Sequence, residues 1–514
     1  MTSSTHGECI CLHIGQAGCQ IGQDTWTLFC EEHCVSGDGT RDLAALQRSV
    51  VDADDTNYNT FFSETHAGQH VPRAVFIDTD PSMRNEILTE TPKLFHPENV
   101  LGYKQDCKSN FFEGRFMASH LKVKEDVLDR VRLQVDLCTN LQGFFVFHAF
   151  GGGTGSGVGC EILHDLHEAF DKKVIFQPIV FPSRRFASSM VEPYNSIFST
   201  FYTRDVVDVT MMMDNEAVYK MVELKQQVKN PDFHHVNRLI AQTISACTTS
   251  LRFEAQLSAK MVEIVTNLVP SKQFRYPVLS LSPVRGKDQE RHETFSPQEI
   301  ATELFETSSL LSDVSHLKTN RYLSAVILLR GVETFRPDKE EGLGSSRGAG
   351  AAGGPGYPSK TTLPMEANKC ITAIQTMKDG THRSPVKFAP WVTSGFKVGL
   401  VGIPPAKDPN DNVMGDISRL GAMLGNSTVV RQVFVRQYTK FLKLFYHRAY
   451  VWQFIDANGE IDAFYEARDG VRDIIGNYEE LLRQCAQAEN EQYGGSNAAV
   501  EGQTNLLETD ARAS

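Results

Sequence analysis

Short apolar runs recur along the first half of the chain, and between them apolar residues return every third or fourth position. The runs at 9–14, 74–77, 143–150, 174–180 and 206–213 are strand-sized and rich in aromatic and branched residues. The intervening stretches carry helical stripes, such as Leu128, Val131, Val135 and Cys138, or Ile162, Leu163, Leu166 and Phe170. This alternation predicts an α/β unit over residues 1–250, built on a mostly parallel sheet. A long helix starting at 235 and running to 249 carries Val236, Ile240, Ile244 and Cys247 as a core-packing stripe. A second, smaller α/β unit is expected over 251–425, with strands at 278–281, 325–329 and 397–401. Its insertion at 336–363, with the core GLGSSRGAGAAGGPGYP, has too little apolar surface to order itself and reads as a flexible loop. Residues 426–488 predict helices, the last with Phe464, Ala467, Val471, Ile474, Tyr478 and Leu482 along one side. Residues 489–514 are polar and read as a disordered tail.

Ligands of a parallel α/β sheet bind outside the carboxyl ends of its strands. The most informative such end is 151–157, GGGTGSG, between the run GFFVFHAF and the helical stripe over 156–170. Five of its seven residues are glycine, so the backbone can turn sharply and present bare N–H groups. A glycine loop that opens a helix aims those groups and the positive dipole end at an anion, which makes phosphate the natural ligand. Thr154 and Ser156 add hydroxyls. No register gives G-x-G-x-x-G, because Ser156 or Val158 falls on the last position. Val158 and Gly159 stand where a Walker A loop needs Lys-Ser/Thr. A plain turn accounts for three glycines more readily than for seven consecutive small residues. Polar or glycine-rich sequence at 15–20, 78–81 and 213–216 follows three other strands, so one composite pocket is expected.

Composition narrows the partners. At 514 residues, 41% hydrophobic and 22% charged, the chain is ordinary for a globular protein of two or three domains. A net charge of −12 argues against nucleic acid as a main partner. No apolar run approaches a membrane span, and MTSSTHGECICLH lacks the basic and apolar regions of a secretory signal, so a cytoplasmic protein without a membrane partner is expected. Eleven cysteines and sixteen histidines scatter without zinc spacing, so free thiols are predicted. His234 and His235 diverge on a helix and read as non-functional.

GGGTGSG, together with HIGQAGCQIG at 13–22, resembles the tubulin superfamily, whose phosphate loop differs from the Rossmann and Walker types in this way. The resemblance extends through 60–78, LFHPE at 94–98, MVEPYNS at 190–196, DNEA at 214–217 and TSGFKVG at 393–399. It leans to the alpha type on LQGFFVFHAFGGGTGSG, on NRLIAQTISACTTSLRF, on the long loop after Pro404–Pro405 and on Glu263. It implies a tubulin/FtsZ-like fold: a Rossmann-like GTP-binding domain, an intermediate α/β domain and C-terminal helices. By the same resemblance Gly152, Gly153, Thr154 and Gly155 would hold phosphates, with Gln16, Ala17 and Gln20 supporting from the first loop. Asp78, Asp80, Asp106 and Ser109 would face the terminal phosphate, with Asp80 nearest its Mg²⁺. Glu192 would take the ribose, Asn215 and Asn237 would read guanine, and Phe233 would stack on the base. Glu263 would be the catalytic residue, orienting water on the GTP of a neighbouring beta-type tubulin, while the chain's own GTP stays unhydrolysed. The implied role is a GTPase-forming microtubule subunit in the cytoskeleton, with microtubule-associated proteins as further partners.

Several positions depart from the family pattern. Ala149 and Ser109 replace a serine and an asparagine near the phosphates, Asp80 replaces a glutamate, and Lys260 replaces an aspartate before Glu263. The loop at 37–55 has no lysine, the lateral loop at 285–292 is unfamiliar, and the tail lacks a dense glutamate run. These departures motivate an alternative, a specialised tubulin of basal body, flagellum or regulation that binds guanine nucleotide without ordinary polymerisation. A free-standing nucleotide enzyme is disfavoured, since no base of its own is apparent beside the phosphates.

Overall fold

The computed structural model describes residues 7–42, 57–91, 93–183, 187, 189–253, 260–287, 295–315, 319–331, 362–379, 386–406, 415 and 417–492. The insertion up to 361, the loop segment 43–55, residues 288–292 and the tail from 493 lie outside the described residues.

Strands β1 (Glu8–Ile14), β2 (Ala74–Asp78), β3 (Val100–Gly102), β4 (Leu141–Ala149), β5 (Val174–Phe181) and β6 (Val209–Asp214) all run parallel, in the order β3-β2-β1-β4-β5-β6. Strands β7 (Val278–Ser282), β8 (Tyr322–Arg330), β9 (Phe396–Val401) and β10 (Leu420–Ser427) continue them into one ten-stranded sheet, in the order β6-β7-β10-β8-β9. The two halves join at a single parallel pair, Met212 with Val278. Strand β10 is antiparallel to both its neighbours, and β9 pairs in parallel with β8 at the edge.

The helices are α1 (Gly15–Glu32), α2 (Pro81–Glu90), α3 (Phe111–His120), α4 (Val123–Asp136), α5 (Gly159–Ala169), α6 (Glu192–Thr203), α7 (Asn215–Lys225) and α8 (Phe233–Arg252). They continue with α9 (Met261–Leu268), α10 (Pro297–Glu303), α11 (Thr362–Lys378), α12 (Arg431–Tyr446), α13 (Val451–Asp456) and α14 (Ile461–Gln492). Successive residues of a strand face opposite layers. Cys9 and Cys11 of β1, like Phe145 and Phe147 of β4, join a cluster with Trp26 of α1 and Ile240 of α8. Ile10 and Leu12, with Phe144 and Val146, join the other layer, with Val127 of α4 and Leu163 of α5. The C-terminal helices pack Phe434, Phe454 and Phe464 against Phe111 and Phe198. All eleven cysteines are free thiols. Among the described residues no helix is long and apolar enough to cross a membrane.

Several boundaries differ from the expectations: β8 begins at Tyr322 rather than 325, and α11 begins at Thr362, inside the insertion expected to run to 363. Helix α8 starts at Phe233 rather than 235, because Asp232 accepts from the Phe233 N–H and His235 Nδ1 accepts from the Asp232 N–H, closing a cap. Strand β6 starts at Val209 rather than 206, and β10, which crosses the expected boundary at 425, was not anticipated. Helix α14 runs to Gln492, past the expected tail start at 489, because Arg321 pairs with both carboxylate oxygens of Glu489 at 2.8 and 2.7 Å.

One buried ionic cluster ties the halves together. Glu32, at the end of α1, bonds Arg252 of α8 and Arg330 of β8, each at 2.6 Å. Ser245 donates to the same carboxylate at 2.7 Å, and Arg330 also donates to the Pro404 carbonyl. Burial alone would raise the Glu32 carboxyl, but the two guanidiniums and Ser245 outweigh it and hold it down to about 2. Breaking such a pair strands the remaining charges in the interior. We expect Glu32→Gln to cost about 3–5 kcal/mol in chemical denaturation. Because the folded pKa lies below the ordinary 4.5, the carboxylate's contribution is present above that value and is lost as pH falls toward about 2. An acid titration of stability should show this component in the parent protein and lack it in the variant.

Candidate functional site

Strand β4 delivers the glycine loop to the carboxyl edge of the sheet, where Thr154–Val158 form a π-turn continuous with α5. Such turns recur at functional sites. Packing decides which glycine could carry a side chain. A Cβ on Gly155 would lie 2.6 Å from the Ala149 carbonyl oxygen, one on Gly153 2.8 Å from the Asn110 nitrogen, and one on Gly157 would collide with the Phe111 carbonyl. A Cβ on Gly152 meets nothing within 4 Å. Gly152 therefore borders open space, beside first-turn N–H groups that have no intrahelical acceptor. Gly15, at φ +72°, opens α1 against this loop, with the Gly155 nitrogen 3.0 Å from where a Cβ would stand. That contact sets Gln16, which is exposed, and Ala17 beside the glycine loop, with Gln20 one turn further along α1.

The next two loops are hydroxyl-linked to it. Thr79, after β2, shares a 2.7 Å hydrogen bond with Thr154, and the Cys107 thiol donates to Thr79. Asp78 is buried and accepts from the Thr79 N–H at 2.7 Å. Burial pushes its carboxyl up to about 6, and the charges of Asp80 and Asp106 add to the rise. Asp80 is exposed and caps α2 by accepting from the Ser82 N–H at 2.9 Å. Asp106 is exposed in the loop after β3.

Carboxylates beside an anion-binding loop repel its ligand unless a cation stands between them. Among the described residues no three histidines, cysteines or acids converge to hold a metal alone. A hard cation here would complete its shell from phosphate oxygens and water, as Mg²⁺ does, and these oxygen donors fit it.

Asn195 of α6 is a residue of this edge that sequence reasoning missed. Its side-chain amide donates to the Ser109 carbonyl at 2.8 Å and to the Gly151 carbonyl at 2.7 Å, and its oxygen accepts from the Phe111 N–H. One fully buried side chain thus fixes two loops to each other. Lys108 and Ser109 both take left-handed φ, 50° and 54°, which that clamp sustains. The only sequence signal was its place in the run MVEPYNS. Glu192, also buried, accepts from the Ser189 N–H and packs beside Gly151. Asp214 ends β6, is bonded by Arg436, and caps α7, which puts Asn215 at the first helical position. Phe233, 55% exposed, meets Tyr219 edge-on at 6.0 Å, and Asn237 lies one turn further along α8. Glu192 and Asn215 therefore share the edge that carries the glycine loop, and Phe233 adjoins it through Tyr219 of α7.

Glu263 lies elsewhere. Met261, which opens α9, accepts a hydrogen bond on sulfur from Cys9 and donates its N–H to Gln142, at the amino ends of β1 and β4. The nine residues of β4 separate that end from the glycine loop, a span on the order of 30 Å. Glu263 is half exposed there and pairs with Lys397 at 2.7 Å.

Residues 8–223 match the family model described as the Tubulin/FtsZ family, GTPase domain. The tubulin alpha chain of Trypanosoma cruzi is 35% identical over 488 residues, covering 94% of this chain and 98% of that one. The tubulin alpha-1 chain of Arabidopsis thaliana is 35% identical over 488 residues, covering 94% of this chain and 99% of that one.

The uneven packing of the loop separates binding from folding. Gly152→Ala should fold with the melting temperature of the nucleotide-free parent and lose guanine nucleotide affinity on the order of tenfold or more, as displaced charge-assisted donors predict. Gly157→Ala should lose stability first, because its Cβ meets backbone. Thermal melting beside nucleotide content of the purified protein distinguishes the two.

Proposed function

This chain belongs to the tubulin family as an alpha-tubulin-like, GTP-binding cytoskeletal subunit, and we propose that it pairs with a beta-type tubulin and lends Glu263 to that subunit's GTP. One observation carries this reading: the glycine loop and Glu263 stand at opposite ends of the parallel sheet. A carboxylate on the order of 30 Å from its own phosphate loop can act only on a nucleotide presented by another molecule.

At its own site the chain binds and orients. The backbone N–H groups of Gly152, Gly153, Thr154 and Gly155 receive phosphate oxygens, and Gln16, Ala17 and Gln20 line the adjoining turn. Asp78, Asp80 and Asp106, with Ser109, face the terminal phosphate, and Asp80 is the proposed contact to Mg²⁺. When bound, Mg²⁺ supplies the positive charge that lets these carboxylates and the phosphates coexist. Glu192 accepts from ribose hydroxyls, Phe233 stacks on the base, and Asn215 and Asn237 read its edge. Asp78 and Asp80 accept hydrogen bonds from neighbouring backbone amides, which favours a holding role over proton transfer at this nucleotide.

At the far end, Glu263 orients a water for in-line attack on the partner's γ-phosphorus. It accepts a proton from that water as the bond from phosphorus to the leaving diphosphate oxygen breaks. Assembly then completes the site, so hydrolysis follows contact between subunits.

Co-expression with a beta-type tubulin tests the pairing, and its polymer tests the chemistry. In the co-polymer, Glu263→Ala should slow GTP turnover at least about a hundredfold while leaving bound nucleotide unchanged. An unchanged rate would remove Glu263 from the chemistry. A chain that binds guanine nucleotide but forms no dimer would favour the specialised, non-lattice reading.

A further inference from the structure

We propose that Lys397 is a positioning residue for Glu263, holding its carboxylate as a near-neutral pair that can approach a neighbouring polyphosphate. The inference rests on the role proposed for Glu263. The two groups lie 134 residues apart and meet at 2.7 Å, Nζ to Oε2. Alternation along β9 sends Val398 and Leu400 into the cluster built with Ile300 of α10 and Ile374 of α11. Lys397 projects from the other face, toward α9, which carries Glu263.

An edge-strand lysine has an ordinary explanation, since charge on an edge discourages pairing with another sheet. That duty needs only a solvated ammonium. The Lys397 side chain is instead 26% exposed, and its head is docked on one carboxylate that is itself 48% exposed. The helix under the carboxylate is pinned as well. Met261 is fully buried, and Asn267 donates to the Glu263 carbonyl at 2.7 Å. A rigid backbone, a carboxylate and a fixed ammonium thus share one surface, with Lys260 exposed at the start of the same helix.

The electrostatics give this arrangement a purpose. A bare carboxylate brought to a triphosphate meets like charge and is driven off or turned away. With an ammonium in contact, the carboxylate arrives without net repulsion, in a fixed rotamer, and keeps the oxygen needed to orient water. Lys260 adds positive charge where the family pattern has an acid, so the surface around Glu263 becomes attractive to an anionic nucleotide mouth.

The test uses the dimer with a beta-type tubulin and reads polymer-coupled GTP turnover, critical concentration and bound nucleotide. Lys397→Gln should slow turnover on the order of tenfold with nucleotide content unchanged, and Lys397→Arg should restore most of it. In the Glu263→Ala background, Lys397→Gln should add no further loss, because the lysine acts through the carboxylate. If Lys397→Gln fails to fold, Lys397→Met keeps the aliphatic stem without the charge and replaces it. Normal turnover in Lys397→Gln, beside a slow Glu263→Ala, would reduce Lys397 to a charge on a sheet edge and overturn the inference alone. An additional loss in the double variant, equal to that of the single one, would also overturn it. Normal turnover in Glu263→Ala would instead overturn the reading on which the inference rests.

Discussion

A parallel sheet has a direction, and that direction decides where chemistry can occur in this chain. Six neighbouring strands of the sheet in the first half point the same way, so each loop that follows one of them emerges at one edge. The glycine loop, Asp78, Asp106, Glu192 and Asn215 inherit their common location from this polarity. The opposite edge receives the amino ends, and with them α9 and Glu263. No rearrangement of loops can bring the two together within one chain. Under the proposed function, contact between subunits is head to tail, and a heterologous contact that does not close generates a filament.

Such a filament subunit needs its two ends held at a fixed distance. Two helices act as struts. Helix α1 starts at Gly15, against the glycine loop, and ends at Glu32; α8 starts at Phe233 and ends at Arg252. Their 18 and 20 residues each span about 27–30 Å. The far ends meet in the Glu32–Arg252 pair, and Arg330 brings the second half of the sheet to the same carboxylate. Since β6 and β7 share one paired position, this cluster and the packing of α8 carry much of the connection. Lys397 and Glu263 themselves come from the second half and from the helix after α8, so their geometry depends on that connection.

What the sequence made legible was local. Strand runs at 9–14, 74–77, 143–150 and 174–180 needed only their own composition, and the glycine loop only its own seven residues. Strand β10 was illegible because LGAMLGNS mixes glycine, asparagine and serine with apolar residues. Its order comes from partners on both sides and from Asn426, which donates to the Leu268 and Phe274 carbonyls. Nothing in their own sequence surroundings marks Glu32, Arg252 and Arg330 before the fold brings them into one buried cluster. Asn195 was hidden for a related reason, since its partners at Ser109 and Gly151 lie far from it in sequence. Long-range polar contacts leave no periodic trace.

The departures around the phosphates acquire a physical meaning through that same asparagine. Serine at 109 lacks the amide of the family's asparagine and is less at ease in the left-handed region. Yet the loop does not depend on the Ser109 side chain, because Asn195 grips its carbonyl and the Gly151 carbonyl together. Ala149 likewise gives up a hydroxyl, while its carbonyl remains packed against Gly155. Asp80, one methylene shorter than glutamate, still caps α2 through Ser82. Each position carries a shorter side chain than the family pattern, while the main chain around it is held by other contacts. Since main-chain N–H groups are the proposed donors to the phosphates, the grip on nucleotide rests on atoms that these substitutions do not remove.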